Sequence, residues 1–234
     1  MKKVLFISFV CATILVFIFS CEPKQSSDKE MLTITIDTIN GTISGTSVTI
    51  TLPYGTDVKK LAPVIAVSEK ASIAPTSGTA IDFTNPFEYI ITAEDGSTAN
   101  VIVTISIEKA ADLLALAPWI IKSKTINPAI DNVTDLLAGV DSCEFDEEVT
   151  FKADTTFTFD HKTICDGDNN SVNFDGTWSM TADDKNIIVT MTGETEADTL
   201  TMGKLSKEIL ELLEVRFSIS TGKTHTTTTV YKHP

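Results

Sequence analysis

CEFDEEVTFKADTTFTFDHKTIC, residues 143–165, carries the reading of the carboxy-terminal half. Val149, Phe151, Phe157 and Phe159 alternate with polar residues on either side of a polar run, Lys152 to Thr156. Period-two alternation marks strands with one buried face, and a polar run between two such strands marks a hairpin. With Phe151 set opposite Phe157, opposed positions sum to 308, so Val149 faces Phe159, Phe145 faces Thr163 and Cys143 faces Cys165. All of these share one parity and hence one face. Opposed Cα atoms lie about 4.5–5.5 Å apart, which is within disulfide range. The stretch therefore predicts a Cys143–Cys165 bridge, with two free thiols as the alternative.

Working outward, strands are expected near 118–126, 144–152, 156–163, 173–181, 186–192, 197–205, 209–220 and 224–232. Eight strands in this length suit a small closed barrel occupying residues 111–234. The one long connection is 127–141. There Asp131 or Asn132 is expected to cap a helical turn with Val133, Leu136 and Leu137 on one side, closing a mouth of the barrel. Asp112 is expected to cap a short turn, residues 113–117, that leads into Trp119.

Upstream, Leu32, Ile34 and Ile36, then Val48, Ile50 and Leu52, then Val101, Val103, Ile105 and Ile107 alternate with polar residues. Pro53-Tyr54-Gly55, Pro75 to Gly78 and Asn85-Pro86 break the strands at short intervals. Asp95-Gly96 reads as a hairpin turn. Short strands with frequent turns and almost no helical pattern predict a β-sandwich over residues 31–110. The fold class is all-β.

Both halves resemble known modules. Ser44-Gly45-Thr46-Ser47-Val48-Thr49-Ile50-Thr51-Leu52-Pro53-Tyr54-Gly55, with Pro75 to Thr79, Asp82-Phe83-Thr84 and Thr92 to Thr98, is similar to an immunoglobulin-like module. That module recurs near the amino end of lipoproteins from Gram-negative gut anaerobes. The resemblance implies a spacer or adhesion element and transfers no catalytic residue. Cys143 to Asp146, Thr150 to Asp154, Phe157-Thr158-Phe159 and Gly176-Thr177-Trp178-Ser179 resemble the lipocalin-like domains of the same lipoproteins. Thr155 stands where those domains usually have Gly, which predicts a looser first hairpin.

The amino end reads as an export signal. Lys2 and Lys3 precede an apolar run, Val4 to Phe19, and then Ser20-Cys21. A charged start, an apolar middle and a small residue before the cut define a signal peptide, here residues 1–20. Ile18-Phe19-Ser20-Cys21 resembles a lipobox, with Phe19 bulkier than usual. It implies cleavage before Cys21 and acylation of that cysteine. Residues 21–30 form a polar tether. Glu22 after the cysteine points to the outer membrane. An exported chain also places Cys143 and Cys165 where disulfides persist.

Loss of Lys2 and Lys3 takes the formal charge from -14 to -16. A surface this acidic repels nucleic acid, so no such partner is expected. Asp166-Gly167-Asp168-Asn169-Asn170 spaces oxygens like the start of a calcium loop. The required Gly and Glu are replaced by Ser171 and Thr177, so a solvated loop is expected and no metal site. His161, His225 and His233 fit no zinc or nucleophile spacing, although the parity of His161 could point it inward. No cofactor and no catalytic residue is expected.

The candidate ligand residues are Trp119, Phe151, Phe159, Trp178, Met180 and Met191. Such side chains either fill an eight-stranded barrel or line a cavity for one small molecule. The expectation is a non-catalytic, lipid-anchored outer-membrane protein that holds a small, partly apolar ligand in the barrel. The alternative is a scaffold or adhesion module accessory to glycan capture.

Overall fold

The computed structural model describes residues 24–139, 146–161, 173–218 and 222–234. Nearly every regular element is a strand, as the alternation predicts. In the first half β1 (Met31–Ile36), β2 (Ile39–Asn40), β3 (Thr42–Ser44), β4 (Ser47–Leu52) and β5 (Val64–Val67) are followed by β6 (Ser72–Ala74), β7 (Phe87–Thr92) and β8 (Thr98–Ile107). They form two sheets, ordered β2-β1-β5 and β3-β4-β8-β7-β6. The central pair β4–β8 is parallel, with Ser47 opposite Ile102 and Leu52 opposite Ile107. A parallel pair needs a long crossover, and the intervening strands and turns supply it.

The inward residues of both sheets meet in one core. Ile34 and Ile36 face Val48, Ile50, Leu52, Ile91, Val101 and Val103, with Phe83 filling in from a connection. Each side chain of this size contributes about 1.5–3 kcal/mol when fully buried. Tyr89 belongs to the same core, and burial pushes its phenol up to about 12. The β7–β8 turn closes with Gly96 at φ 82°, a conformation that costs glycine nothing.

The second half opens with α1 (Ala110–Leu114) and continues through β9 (Trp119–Ile130), β10 (Val133–Asp135), β11 (Glu147–Phe151), β12 (Thr156–His161) and β13 (Phe174–Met180). β14 (Asn186–Met191), β15 (Asp198–Leu205), β16 (Ile209–Ser218) and β17 (Lys223–Lys232) complete it. Strands β9 and β11 to β17 form an antiparallel ring, closed where β17 pairs back onto β9. This is the eight-stranded barrel the sequence predicts, with β10 an added strand on the far half of β9.

The β11–β12 register runs from Phe151 opposite Phe157, through Val149 opposite Phe159, to Glu147 opposite His161. Every pair sums to 308, as expected. Cys143 and Cys165 continue that parity in the sequence but lie outside the described residues, as do Cys21 and the Asp166–Asn170 stretch. We expect oxidised protein to resist urea by about 3 kcal/mol more than reduced protein, because the bridge would close a loop of about 20 residues. Native protein whose two thiols both alkylate without prior reduction would rule the bridge out.

Three local expectations fail. Residues 127–135 are not a helical turn. β9 continues to Ile130, and Asp131 and Asn132 sit at φ 50° and 65°. Two consecutive left-handed residues make the tight turn that matches strand twist, so Val133 faces Ile130. Asp and Asn suit both helix caps and such turns. Pairing of β9 with β17 as far as Asn127 decides for the strand. Asp112 is not a cap either: Lys109 holds that position, and Asp112 lies in the first turn of α1. The first hairpin is not loose. Thr155 adopts φ 68°, and the Asp154 carboxylate accepts from the Thr156 amide and hydroxyl at 3.0 and 2.6 Å.

α1 plugs one end of the barrel. Ala110, Leu113 and Leu114 pack with Trp119, Trp178, Ile187, Leu205 and Leu210 in a buried cluster. The Trp119 indole N–H donates to the Leu114 carbonyl at 2.9 Å. The first half meets the barrel at this plugged end. The Tyr54 hydroxyl donates to the Asp184 carbonyl at 2.6 Å, and Lys207 pairs with Glu108 at 2.6 Å.

Candidate functional site

Above the plug the barrel is hollow. A cavity of about 340 Å³ opens at the far mouth. Its apolar wall comes from β11 to β16: Val149, Phe151, Phe157, Phe159, Phe174, Val189, Met191, Leu200 and Leu212. Phe159 and Phe174, a directly opposed pair, stack with ring centres 4.4 Å apart and planes within 8°. A second wall is polar, formed by Lys124 of β9 with Thr229 and Tyr231 of β17. Asp198, Glu214 and Arg216 line the mouth side, with Arg216 ion-paired to Glu214.

The six expected residues divide by depth. Phe151, Phe159 and Met191 line the cavity. Trp119, Trp178 and Met180 belong to the packed cluster. Trp119 is fully buried and lies against the His233 ring, with centroids 3.9 Å apart. The Trp178 N–H donates to the Lys152 carbonyl at 3.0 Å, and its ring meets Phe151 edge-on. Both indole N–H groups are thus satisfied by the backbone, as buried tryptophan requires.

Sequence reasoning passed over the polar wall. Glu147 shares the inward parity of Val149 and Phe151, and it stands opposite His161. Burial raises the Glu147 carboxyl above its ordinary value, while His161 and Lys124 oppose the shift and Asp146 adds to it. Burial also raises the Tyr231 phenol, and the Glu147 charge raises it further. The parity of Glu147 was available as a signal. Tyr231 was not readable, because it ends a Thr-rich strand and a bulge between Val230 and Tyr231 breaks its alternation against β9. His225 is buried, its ring donating to the Pro128 carbonyl at 2.7 Å, and His233 donates to the Pro118 carbonyl at 2.9 Å. No group of three or more metal-ligating side chains gathers among the described residues.

Two family models match the chain. One, described as SGBP, N-terminal, covers residues 31–105. The other, described as a lipocalin-like domain, covers residues 118–212. The chain joins an SGBP-type amino-terminal module to a lipocalin-like domain. The lipocalin-like match ends within β16, so β17, with Thr229 and Tyr231, lies beyond it.

No curated protein matches the chain. Among solved structures, a proposed glycoside hydrolase from Bacteroides thetaiotaomicron shares 15% identity, covering 90% of this chain and 91% of that one, with a TM-score of 0.35. A DUF4847 family protein from Bacteroides vulgatus shares 16% identity over 53% of this chain and 96% of that one, at 0.32. A proposed secreted protein from Bacteroides fragilis shares 15% over 35% and 97%, at 0.28. None of the three reaches 0.5, and the two modules are assigned from the family models.

Proposed function

We infer that the lipocalin-like domain holds one small, partly apolar molecule and does not transform it. The hollow barrel carries this reading. An eight-stranded barrel can fill its interior with side chains, yet here about 340 Å³ is left open above a packed plug. That lies at the lower end of the range for small-molecule sites. Lipids on Cys21 would hold the protein to the outer membrane. No helix among the described residues is long and apolar enough to cross a membrane.

A second reading is an accessory role in glycan capture. The SGBP type of the first module favours it. So does the outer face of the five-stranded sheet, where Ile90 and Ile102 lie exposed near Ser47, Thr49 and Thr104. On that reading the barrel is a scaffold and its hollow has no resident.

The test is uptake of N-phenyl-1-naphthylamine, which fluoresces in apolar sites. Saturable, one-to-one enhancement is expected in the wild type. Leu212→Trp, which fills the cavity from β16, should abolish it while leaving the circular dichroism spectrum unchanged. No uptake by the wild type, or uptake untouched in Leu212→Trp, would refute the cavity as the binding site.

A further inference from the structure

The cavity is apolar along β11 to β14 and polar along β17 and β9, and Asp198, Thr199, Glu214 and Arg216 add polar groups from β15 and β16. Tyr231 lies level with Leu210 of the plug, Thr229 with Leu212 and Lys124 halfway up, and Arg216 at the mouth. Opposite stand Phe159, Phe174 and Met191, none of which offers a hydrogen bond. Tyr231 is half-buried and, with Thr229, lines the cavity. An occupant that covers these wall hydroxyls without pairing them pays for their desolvation, so one that offers them hydrogen bonds is favoured.

The geometry points to a rigid facial amphiphile as the ligand: a fused-ring body, apolar on one broad face and bearing hydroxyls on the other, with its polar face toward β17 and β9. This rests on the reading of the cavity as a ligand site. A fatty acyl chain is polar at one end only. It would lay methylenes along Lys124, Thr229 and Tyr231 and leave those groups unpaired. A sugar bears hydroxyls all round and would desolvate them against the phenylalanine wall. A fused-ring body with one polar face pairs both walls at once. A cavity of about 340 Å³ takes the ring system and leaves a polar tail at the mouth, among Asp198, Glu214 and Arg216.

Competition against bound N-phenyl-1-naphthylamine tests this, with cholate as the facial amphiphile and laurate as the chain amphiphile. Cholate should displace the probe at least tenfold more effectively than laurate. Tyr231→Phe and Thr229→Val, both close in shape to the native residues, should each weaken cholate about five- to tenfold. Both should keep the wild-type circular dichroism spectrum and urea midpoint, which shows that the variants are folded. Laurate competing as well as cholate, cholate failing to compete, or cholate affinity unchanged in both variants would each overturn the facial amphiphile while the cavity reading stands. Failure of the wild type to take up the probe would overturn both.

Discussion

Gly176→Ala is expected to cost the barrel about 3 kcal/mol or more, a large share of its stability. Gly176 lies in β13 between two partners, opposite Phe157 of β12 and Met191 of β14. A Cβ at this position would run into the Thr190 backbone, overlapping its carbonyl oxygen and lying 2.9 Å from its carbonyl carbon. It would also lie 2.8 Å from Cε1 of the Phe157 ring. Backbone held in a closed ring cannot step aside as a side chain can. Phe157 is itself buried, packed edge-on to Phe174. Overpacking a tight core costs about 1–3 kcal/mol when side chains can adjust, and occasionally more. A clash with a ring strand falls at the severe end, against a total stability of about 5–15 kcal/mol. Gly203→Ala is the control, because there the first atom met belongs to the flexible Glu211 carboxylate. Urea titration should find Gly203→Ala within about 1 kcal/mol of the wild type. A Gly176→Ala barrel equally close to the wild type would show that β14 can shift, and the argument for a rigid ring would fail.

The same glycine shows what the sequence makes legible. Gly176-Thr177-Trp178 was readable as a strand and as part of a lipocalin-like pattern, and the strand is there. That its backbone approaches β14 closely was not readable, because a glycine in a strand signals a bulge, a bend or a close approach without saying which. Alternation worked wherever one face was dry and one wet: β11 and β12 pair in the register their phenylalanines dictate. It failed where residues serve two structures, as with Asp131-Asn132. For the site, parity alone separates inside from outside but not deep from shallow. Trp119 and Phe151 were both candidates for the barrel interior. Only the docking of α1 under β9 makes one part of the plug and leaves the other at the cavity floor. The polar wall was the largest omission, since it is assembled across the closure of β17 onto β9, between residues about 100 positions apart.

Cys21→Ala is expected to release essentially all of the protein from the membrane fraction and to abolish lipid labelling, with probe uptake by the barrel unchanged. The reasoning begins with Ile18-Phe19-Ser20-Cys21. Each buried methylene of an acyl chain adds about 0.8 kcal/mol to attachment, and stable anchoring takes two chains or their equivalent. Residues 24–30 offer nothing to replace them, being polar almost throughout. The structure shows where the residues after the anchor are held. The Ser26 amide donates to the Glu94 carboxylate at 2.9 Å, the Asp95 amide donates to the Ser26 carbonyl at 3.1 Å, and Lys29 reaches the Ser97 hydroxyl at 2.9 Å. The tether is thus pinned to the β7–β8 turn, where β8 begins. The other end of β8 leads into α1 and the plug. The tether and the barrel therefore attach at opposite ends of β8. Unchanged lipid labelling in Cys21→Ala would rule out Cys21 as the anchor.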